Sequence, residues 1–228
     1  MITVICSKWG ATFGSEYVNR LADGVQRHLA IPHEFVCFTD DPSGVDVPCI
    51  PIDPLWEGKS RDLLFKMQGS SGISCGYPNL YMFRKDFPLK GRILYFDLDV
   101  IITGNLGDLV TKSESFLAIH DWWSNNWNGS VMLFTAGFCP TLWTDFPPPD
   151  LDRLGNGQNW LSIKVKHGKA WPDDWVKSYK IHGTQGVPPN CRVLVFHGHP
   201  KMEHFPSEHW VSRLWKGELH DCGRLARA

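Results

Sequence analysis

Apolar and polar positions alternate in blocks along the chain, and the blocks name the elements. Ile2, Val4, Ile5 and Cys6 make a short apolar run over residues 2–6, which reads as a strand ending in Ser7-Lys8-Trp9-Gly10. Apolar side chains at 18, 21, 25 and 29 then recur at the spacing of one helix face and predict a helix over 15–29. A second strand follows over 33–39 and is closed by the turn residues Asp40-Asp41-Pro42-Ser43-Gly44. Strand, helix, strand is a βαβ opening, which calls for a parallel sheet. Farther on, 50–52 reads as a short strand, 69–78 as a flexible loop and 79–85 as a short helix. Strands are expected at 116–120, 130–134 and 192–196, with a helix at 158–165 and a break at Pro147-Pro148-Pro149. The polar, aromatic stretch 121–129 separates two of those strands, and loops this long commonly serve a site.

The longest apolar run, 93–102, reads as one central strand, and it carries Asp97 and Asp99. Side chains two apart in a strand share a face, so both carboxylates should point the same way. An unpaired buried carboxylate costs several kcal/mol or stays protonated, so a cation is expected beside them. A hard divalent ion bound in turn to phosphate oxygens suits two carboxylates at a strand end. A second apolar strand ends as abruptly, in His197-Gly198-His199-Pro200-Lys201. An imidazole there could complete a manganese shell, and the lysine could neutralise the same phosphates.

Composition narrows the partner. The chain has 228 residues and is 43% hydrophobic, enough for one sizeable core and too apolar for disorder. With 23 basic and 24 acidic residues, net charge −1 and no basic block, a nucleic-acid surface is not expected. The seven cysteines (6, 37, 49, 75, 139, 191, 222) are scattered and lack CxxC spacing, which reads as reduced thiols in a cytoplasmic protein. No apolar run approaches 15–20 residues, so a soluble protein without a transmembrane segment is expected, able at most to act at a cytosolic membrane face. Of the 11 tryptophans, Trp122, Trp123, Trp127, Trp143, Trp160, Trp171 and Trp175 cluster with glycine and polar residues. Such rings can line a carbohydrate pocket, though most fill core.

Three other readings fit parts of this pattern. Asp97 could be the nucleophile of an aspartate-dependent phosphatase, although that chemistry places its motif near the start of the chain. His197, His199, His204 and His209 could form a zinc site, although no third ligand has a recognisable spacing. The tryptophans could belong to a glycan-binding module that is not an enzyme.

Taken in order, Tyr95-Phe96-Asp97-Leu98-Asp99-Val100-Ile101-Ile102-Thr103-Gly104-Asn105-Leu106 and Phe196-His197-Gly198-His199-Pro200-Lys201 resemble two segments of nucleotide-sugar-dependent glycosyltransferases of the GT-A fold. The likeness is to the glycogenin-like and bacterial galactosyltransferase-like group, whose enzymes carry an Asp-x-Asp and a later His-Gly-x-x-Lys. Val4 to Trp9 looks like that group's first nucleotide-binding strand, and Asn128-Gly129-Ser130 like its asparagine-containing strand start. The resemblance implies a single α/β domain with a mixed, mostly parallel sheet, its nucleotide half at about 1–110 and its acceptor half at about 111–228. It implies Mn²⁺, with Mg²⁺ as substitute, held by Asp97, Asp99 and His197. It also implies a nucleoside diphosphate sugar, UDP foremost, contacted by Ser7, Lys8, Trp9, Asp97, Leu98 and Lys201, and an acceptor hydroxyl on a glycan or other molecule. Asn128 and Ser130 would lie near the sugar or acceptor, and Gln158 beside the anomeric carbon. Gly157 stands where relatives usually carry aspartate. Asp121 is a candidate base should the reaction invert; the resemblance favours retention, and the residues themselves leave the outcome open. The oligomeric state is not legible.

Overall fold

The computed structural model of the protein describes residues 1–66 and 76–219. Ten strands form two sheets. They are β1 (Ile2–Lys8), β2 (His33–Thr39), β3 (Cys49–Pro51), β4 (Arg92–Phe96), β5 (Val100–Ile102), β6 (Phe116–His120), β7 (Trp127–Thr135), β8 (Lys169–Ala170), β9 (Val176–Ser178) and β10 (Val193–Val195). Seven of them make the main sheet, in the order β3-β2-β1-β4-β7-β6-β8. β1 runs parallel to β2 and β4, β2 to β3, and β6 to β8, while β7 lies antiparallel between β4 and β6. The fold is therefore mixed α/β with a mostly parallel central sheet, as the βαβ opening required. The smaller sheet, β5-β10-β9, pairs β10 antiparallel to β5 and parallel to β9.

Period-two alternation sorts the core onto the two sides of the main sheet. Val4, Cys6, Leu94, Phe96, Val131 and Leu133 belong to one hydrophobic cluster, and Ile5, Ile93, Tyr95, Met132 and Phe134 to the other. Every residue of β1 is buried, as expected of an interior parallel strand covered on both faces. The helix Ser15–His28 buries Tyr17, Val18, Leu21, Gly24 and Val25 on the first side. A Cβ at Gly24 would lie 3.2 Å from Ile102 Cγ1, so glycine lets the helix sit close on β5. The other side is covered by the 3₁₀ helix Tyr77–Phe83 and the helix Gly157–Lys164, whose N-cap Asn156 accepts from Asn159 N.

Several expectations need correction. The run 93–102 is not one strand: it breaks after Phe96, and Val100–Ile102 crosses into the smaller sheet. Carrying both aspartates through a continuous strand would have left them among apolar neighbours. The break brings both to half-buried positions while Leu98 between them stays buried. The expected strand at 192–196 pairs in the smaller sheet, 79–85 is part of a 3₁₀ helix, and β7 begins at Trp127 inside the stretch read as loop. The loop expected at 69–78 lies, up to residue 75, outside the described residues. The helix Trp210–Trp215 and the π-helical turn Tyr179–Gly183 had no sequence signal strong enough to name them. Cys6, Cys37, Cys49 and Cys139 are free thiols.

Most tryptophans are structural. Trp56, Trp160 and Trp171 are buried and donate their indole N–H to the backbone oxygens of Pro78, Leu142 and Val131. Gly168 shows how tightly the rings fit: a Cβ there would stand 2.8 Å from Phe116 Cδ1 and 3.0 Å from Trp127 Cζ2. Neither ring can swing away like a flexible side-chain tip, so Gly168→Ala is expected to cost about 1–3 kcal/mol, read as a lowered urea midpoint at unchanged slope.

Candidate functional site

Where β1 and β4 end and β7 begins, a cleft of about 490 Å³ opens on the side covered by the 3₁₀ helix and Gly157–Lys164. Its walls bring together residues distant in sequence. Ser7, Trp9, Thr12 and Phe13 come from the end of β1 and the loop after it, and Asn79, Leu80, Met82 and Phe83 from the 3₁₀ helix. Tyr95, Asp97, Leu98 and Asp99 come from the break after β4, Gly129, Ser130 and Met132 from β7, and Asn156, Gly157, Gln158 and Leu161 from the helix. His197, Gly198, His199, Lys201, Glu203 and His204 close the rim.

The two aspartates meet different partners. Tyr95 Oη donates to Asp97 Oδ1 at 2.6 Å. Burial, with the Asp99 charge second, nevertheless pushes the Asp97 carboxyl up to about 6. Asp99 Oδ2 receives Lys201 Nζ at 2.5 Å, both side chains being 13% exposed, and the same ammonium donates to Phe196 O at 2.8 Å. The cation demanded by the sequence is thus present on one carboxylate and not on the other. His197 Nε2 lies 2.7 Å from Ser178 Oγ, and its ring is flanked by Trp122 (centroids 5.4 Å) and Trp123 (4.6 Å, near perpendicular). Burial first, then the Lys180 charge, holds this imidazole below its usual pKa and keeps it neutral at pH 7. Gly198 turns the chain just after it at φ +64, where a Cβ would meet Lys180 Nζ at 2.9 Å.

At the other end of the cleft, Trp9 Nε1 donates to Asn79 Oδ1 (2.9 Å) and Ser7 Oγ lies 2.9 Å from Tyr81 Oη. These bonds fix an indole and a hydroxyl at the β1 end. Tyr17 Oη donates to Glu203 Oε2, tying the first helix to the segment that carries Lys201. Burial and that carboxylate raise the Tyr17 phenol, which stays protonated.

Of the residues singled out from sequence, Ser7, Trp9, Asp97, Leu98, Asp99, Ser130, Gln158, His197 and Lys201 all line this cleft. Three do not. Lys8 is buried, with Nζ on Asp41 O at 2.9 Å; Asn128 is buried, and its Oδ1 accepts from Ser130 N. Asp121 lies in a second cleft, of about 500 Å³, with Oδ2 held by Ser124 Oγ at 2.8 Å. Thr12, Phe13, Asn79, Tyr95 and Asn156 were missed. Only Tyr95 had a signal, two residues before Asp97 on the same strand face.

Two carboxylates, one lacking a cation, suit a hard divalent ion, and a lysine ammonium already stands in for positive charge on the other. A third ligand is not in place. Among the described residues no group of three His, Cys, Asp or Glu side chains is gathered to hold a metal, His197 being engaged with Ser178. The same holds for the histidine cluster: His199 and His204 stand 5.4 Å apart by ring centroids, while His209 Nδ1 accepts from Val211 N and caps the last helix.

No family model matches the sequence, and no curated protein matches it. Solved structures do match the fold. The glycosyltransferase GlyE of Streptococcus pneumoniae TIGR4 aligns over 99% of this chain with TM-score 0.65 and 15% identity. The galactosyltransferase LgtC, in complex with donor and acceptor sugar analogs, aligns over 96% of both chains with TM-score 0.61 and 12% identity. The bifunctional glycosyltransferase WbbM aligns over 88% of this chain with TM-score 0.58 and 11% identity. The chain spans 63% of the GlyE structure and 46% of the WbbM structure. At these identities the likeness is one of architecture: this chain has the α/β fold of GlyE- and LgtC-type glycosyltransferases, the GT-A-like fold its sequence resembles.

Proposed function

We propose that this protein is a metal-dependent glycosyltransferase that moves a sugar from a nucleoside diphosphate, UDP foremost, to an acceptor hydroxyl. The observation that supports this most is the meeting of Asp97, Asp99, His197 and Lys201 in one cleft, on a fold shared with sugar-transferring enzymes. Asp97 and Asp99 would hold Mn²⁺ or Mg²⁺, with His197 as third ligand once released from Ser178. A bound divalent ion supplies positive charge to the diphosphate as it leaves.

The chain's own residues do the rest. Breaking a sugar–diphosphate bond places negative charge on the leaving oxygen and positive charge on the anomeric carbon. Lys201, a rigidly tethered ammonium beside Asp99, is within the same cleft to take that negative charge, so no acid is needed on the leaving group. Trp9 and Ser7 line the end of the cleft suited to the nucleoside, the indole held by Asn79 and the hydroxyl by Tyr81. Gln158, in the first turn of its helix, presents an amide where a sugar would lie. Among the described residues the carboxylates lining the cleft are Asp97, Asp99 and Glu203, and Asp121 faces the other cleft. That supports retention, with same-face attack in which the protein positions groups rather than supplying a base.

The test is release of nucleoside diphosphate from a panel of nucleotide sugars, with Mn²⁺ and with chelator. Manganese-dependent release from at least one donor is expected. A stable phosphoaspartate at Asp97, or zinc bound at one equivalent with no nucleotide requirement, would favour the phosphatase or zinc reading instead. Glycan binding without turnover of any donor would favour the non-enzymatic one.

A further inference from the structure

We infer that the second cleft is a saccharide subsite continuous with the first, so that the acceptor is a chain of two or more sugars lying over Trp123. The inference rests on the glycosyltransferase reading above and names the acceptor and where it lies. Of the 11 tryptophans, Trp123 is the exposed one, at 64%, the others being buried or half-buried. Its loop is braced: Asp121 N donates to Asn126 O at 2.9 Å, Asp121 Oδ2 accepts from Ser124 Oγ at 2.8 Å, and Asn126 Nδ2 donates to Asn159 Oδ1 at 2.9 Å. An indole held open to water on a braced loop loses little freedom on binding, which suits a platform for a ligand.

The rings around it join the two clefts. His197 lines the first and His182 the second, and the Trp122 ring neighbours both, with centroids 5.4 Å from His197 and 6.2 Å from His182. Trp123 stands 4.6 Å from the same His197 ring and 6.4 Å from Trp122. A ligand reaching from one cleft to the other passes these two indoles. The second cleft, about 500 Å³, has the size of a small-molecule site, and its polar lining is His120, Asp121, Asp173, Lys177 and His182. A pyranose presents C–H bonds on one face, which pack on an indole, and hydroxyls at its edge, which need donors and acceptors. Asp121 and Asp173 supply acceptors and Lys177 donors. His182 Nδ1 accepts from Ser178 N at 3.3 Å, which leaves Nε2 to donate; burial first, then the Lys177 charge, holds this imidazole below its usual pKa. The two carboxylates balance Lys177 and the nearby Lys180, whose charge reaches His197, so the surface favours an uncharged ligand over a phosphate or a lipid headgroup.

Release of nucleoside diphosphate by the full chain with Mn²⁺, from whichever donor it turns over, is the test. The probes are glucose, galactose and N-acetylglucosamine beside α- and β-linked disaccharides and trisaccharides built from them. At least one disaccharide is expected to raise release above the rate with water alone, with a KM on the order of 10-fold or more below that of its monosaccharide. Trp123→Ala should raise that KM on the order of 10-fold without a matching rise in donor KM, and Trp123→Phe, which keeps a flat ring, should restore most of it. Asp173→Asn, in the second cleft, should raise the disaccharide KM roughly 5-fold and not that of the monosaccharide. Equal KM values for monosaccharide and disaccharide, or an unaltered disaccharide KM in both Trp123→Ala and Asp173→Asn, would overturn the inference. So would release stimulated by a serine-containing peptide or by phosphatidylglycerol vesicles and by no saccharide. Donor turnover that responds to no saccharide overturns this inference and leaves the donor reading standing, whereas absence of turnover of every donor with every probe overturns both.

Discussion

Asp97→Asn is expected to remove metal-dependent nucleotide binding while leaving the metal-free protein at least as stable as the parent. Asparagine keeps an oxygen for the Tyr95 hydroxyl at 2.6 Å and occupies the same volume. It removes a negative charge that burial and Asp99 both disfavour, the influence that pushes this carboxyl up to about 6. The sign follows from linkage. A carboxyl whose folded pKa lies above its unfolded value near 4 favours the native state most when protonated, so metal-free protein loses stability as pH rises from about 4 through about 6. The variant should lack that loss. Its affinity for a nucleoside diphosphate with Mn²⁺ should fall by on the order of 100-fold or more, since even groups that merely orient a metal ligand are worth 10–100-fold. Melting curves at pH 4.5 and 7 and one titration check both halves. A variant that melts lower at neutral pH and still binds with Mn²⁺ would contradict them.

Phe38→Ala should produce the largest loss of stability. Phe38 is fully buried on β2, with the Tyr81 and Phe87 rings at 5.0 and 5.3 Å between centroids. Removing a buried phenyl group costs about 3–5 kcal/mol, the upper part when the surroundings cannot collapse. Here they are held: Tyr81 is tied to Ser7 at 2.9 Å at the end of β1. For a chain of this length that corresponds to a fall of roughly 6–20 °C in melting temperature. The same cavity loosens Tyr81 and with it the Ser7 end of the cleft, so nucleotide affinity should fall as well. Tyr81→Phe is the control: it removes the hydrogen bond and keeps the ring, with a loss of about 1–2 kcal/mol. Equal losses in the two variants would contradict the cavity account.

The parts of this architecture that could be read from sequence are those fixed locally. β1, the helix Ser15–His28 and β2 each carry their own period, and their boundaries lie within a residue or two of the expected ones. The cleft was legible through Asp97, Asp99, His197 and Lys201 because charge at the end of an apolar run is costly enough to need a reason. What was not legible depends on where the chain goes afterwards. Nothing in the ten apolar-flanked residues 93–102 says that one half pairs with β1 and β7 and the other with β10, because both halves are equally hydrophobic. Lys8 looked like a loop residue at the nucleotide and is instead buried against Asp41 O, since β1 runs one residue beyond Ser7. Asn128 reads as a site residue by pattern, yet its side chain serves the backbone of Ser130. Lys201 was expected to face phosphate, and its ammonium lies on Asp99. That is the nearest anion, so the two expectations concern one charge.

The central claim, that Asp97 and Asp99 form a metal-dependent diphosphate site, is tested most directly by titrating UDP into the protein with Mn²⁺ and again with chelator, in the parent and in Asp99→Ala. The account predicts binding at least about 10-fold tighter with Mn²⁺ in the parent, and no difference between the two conditions in the variant. Equal affinity with and without the metal in the parent, or a metal effect that survives in Asp99→Ala, would contradict it.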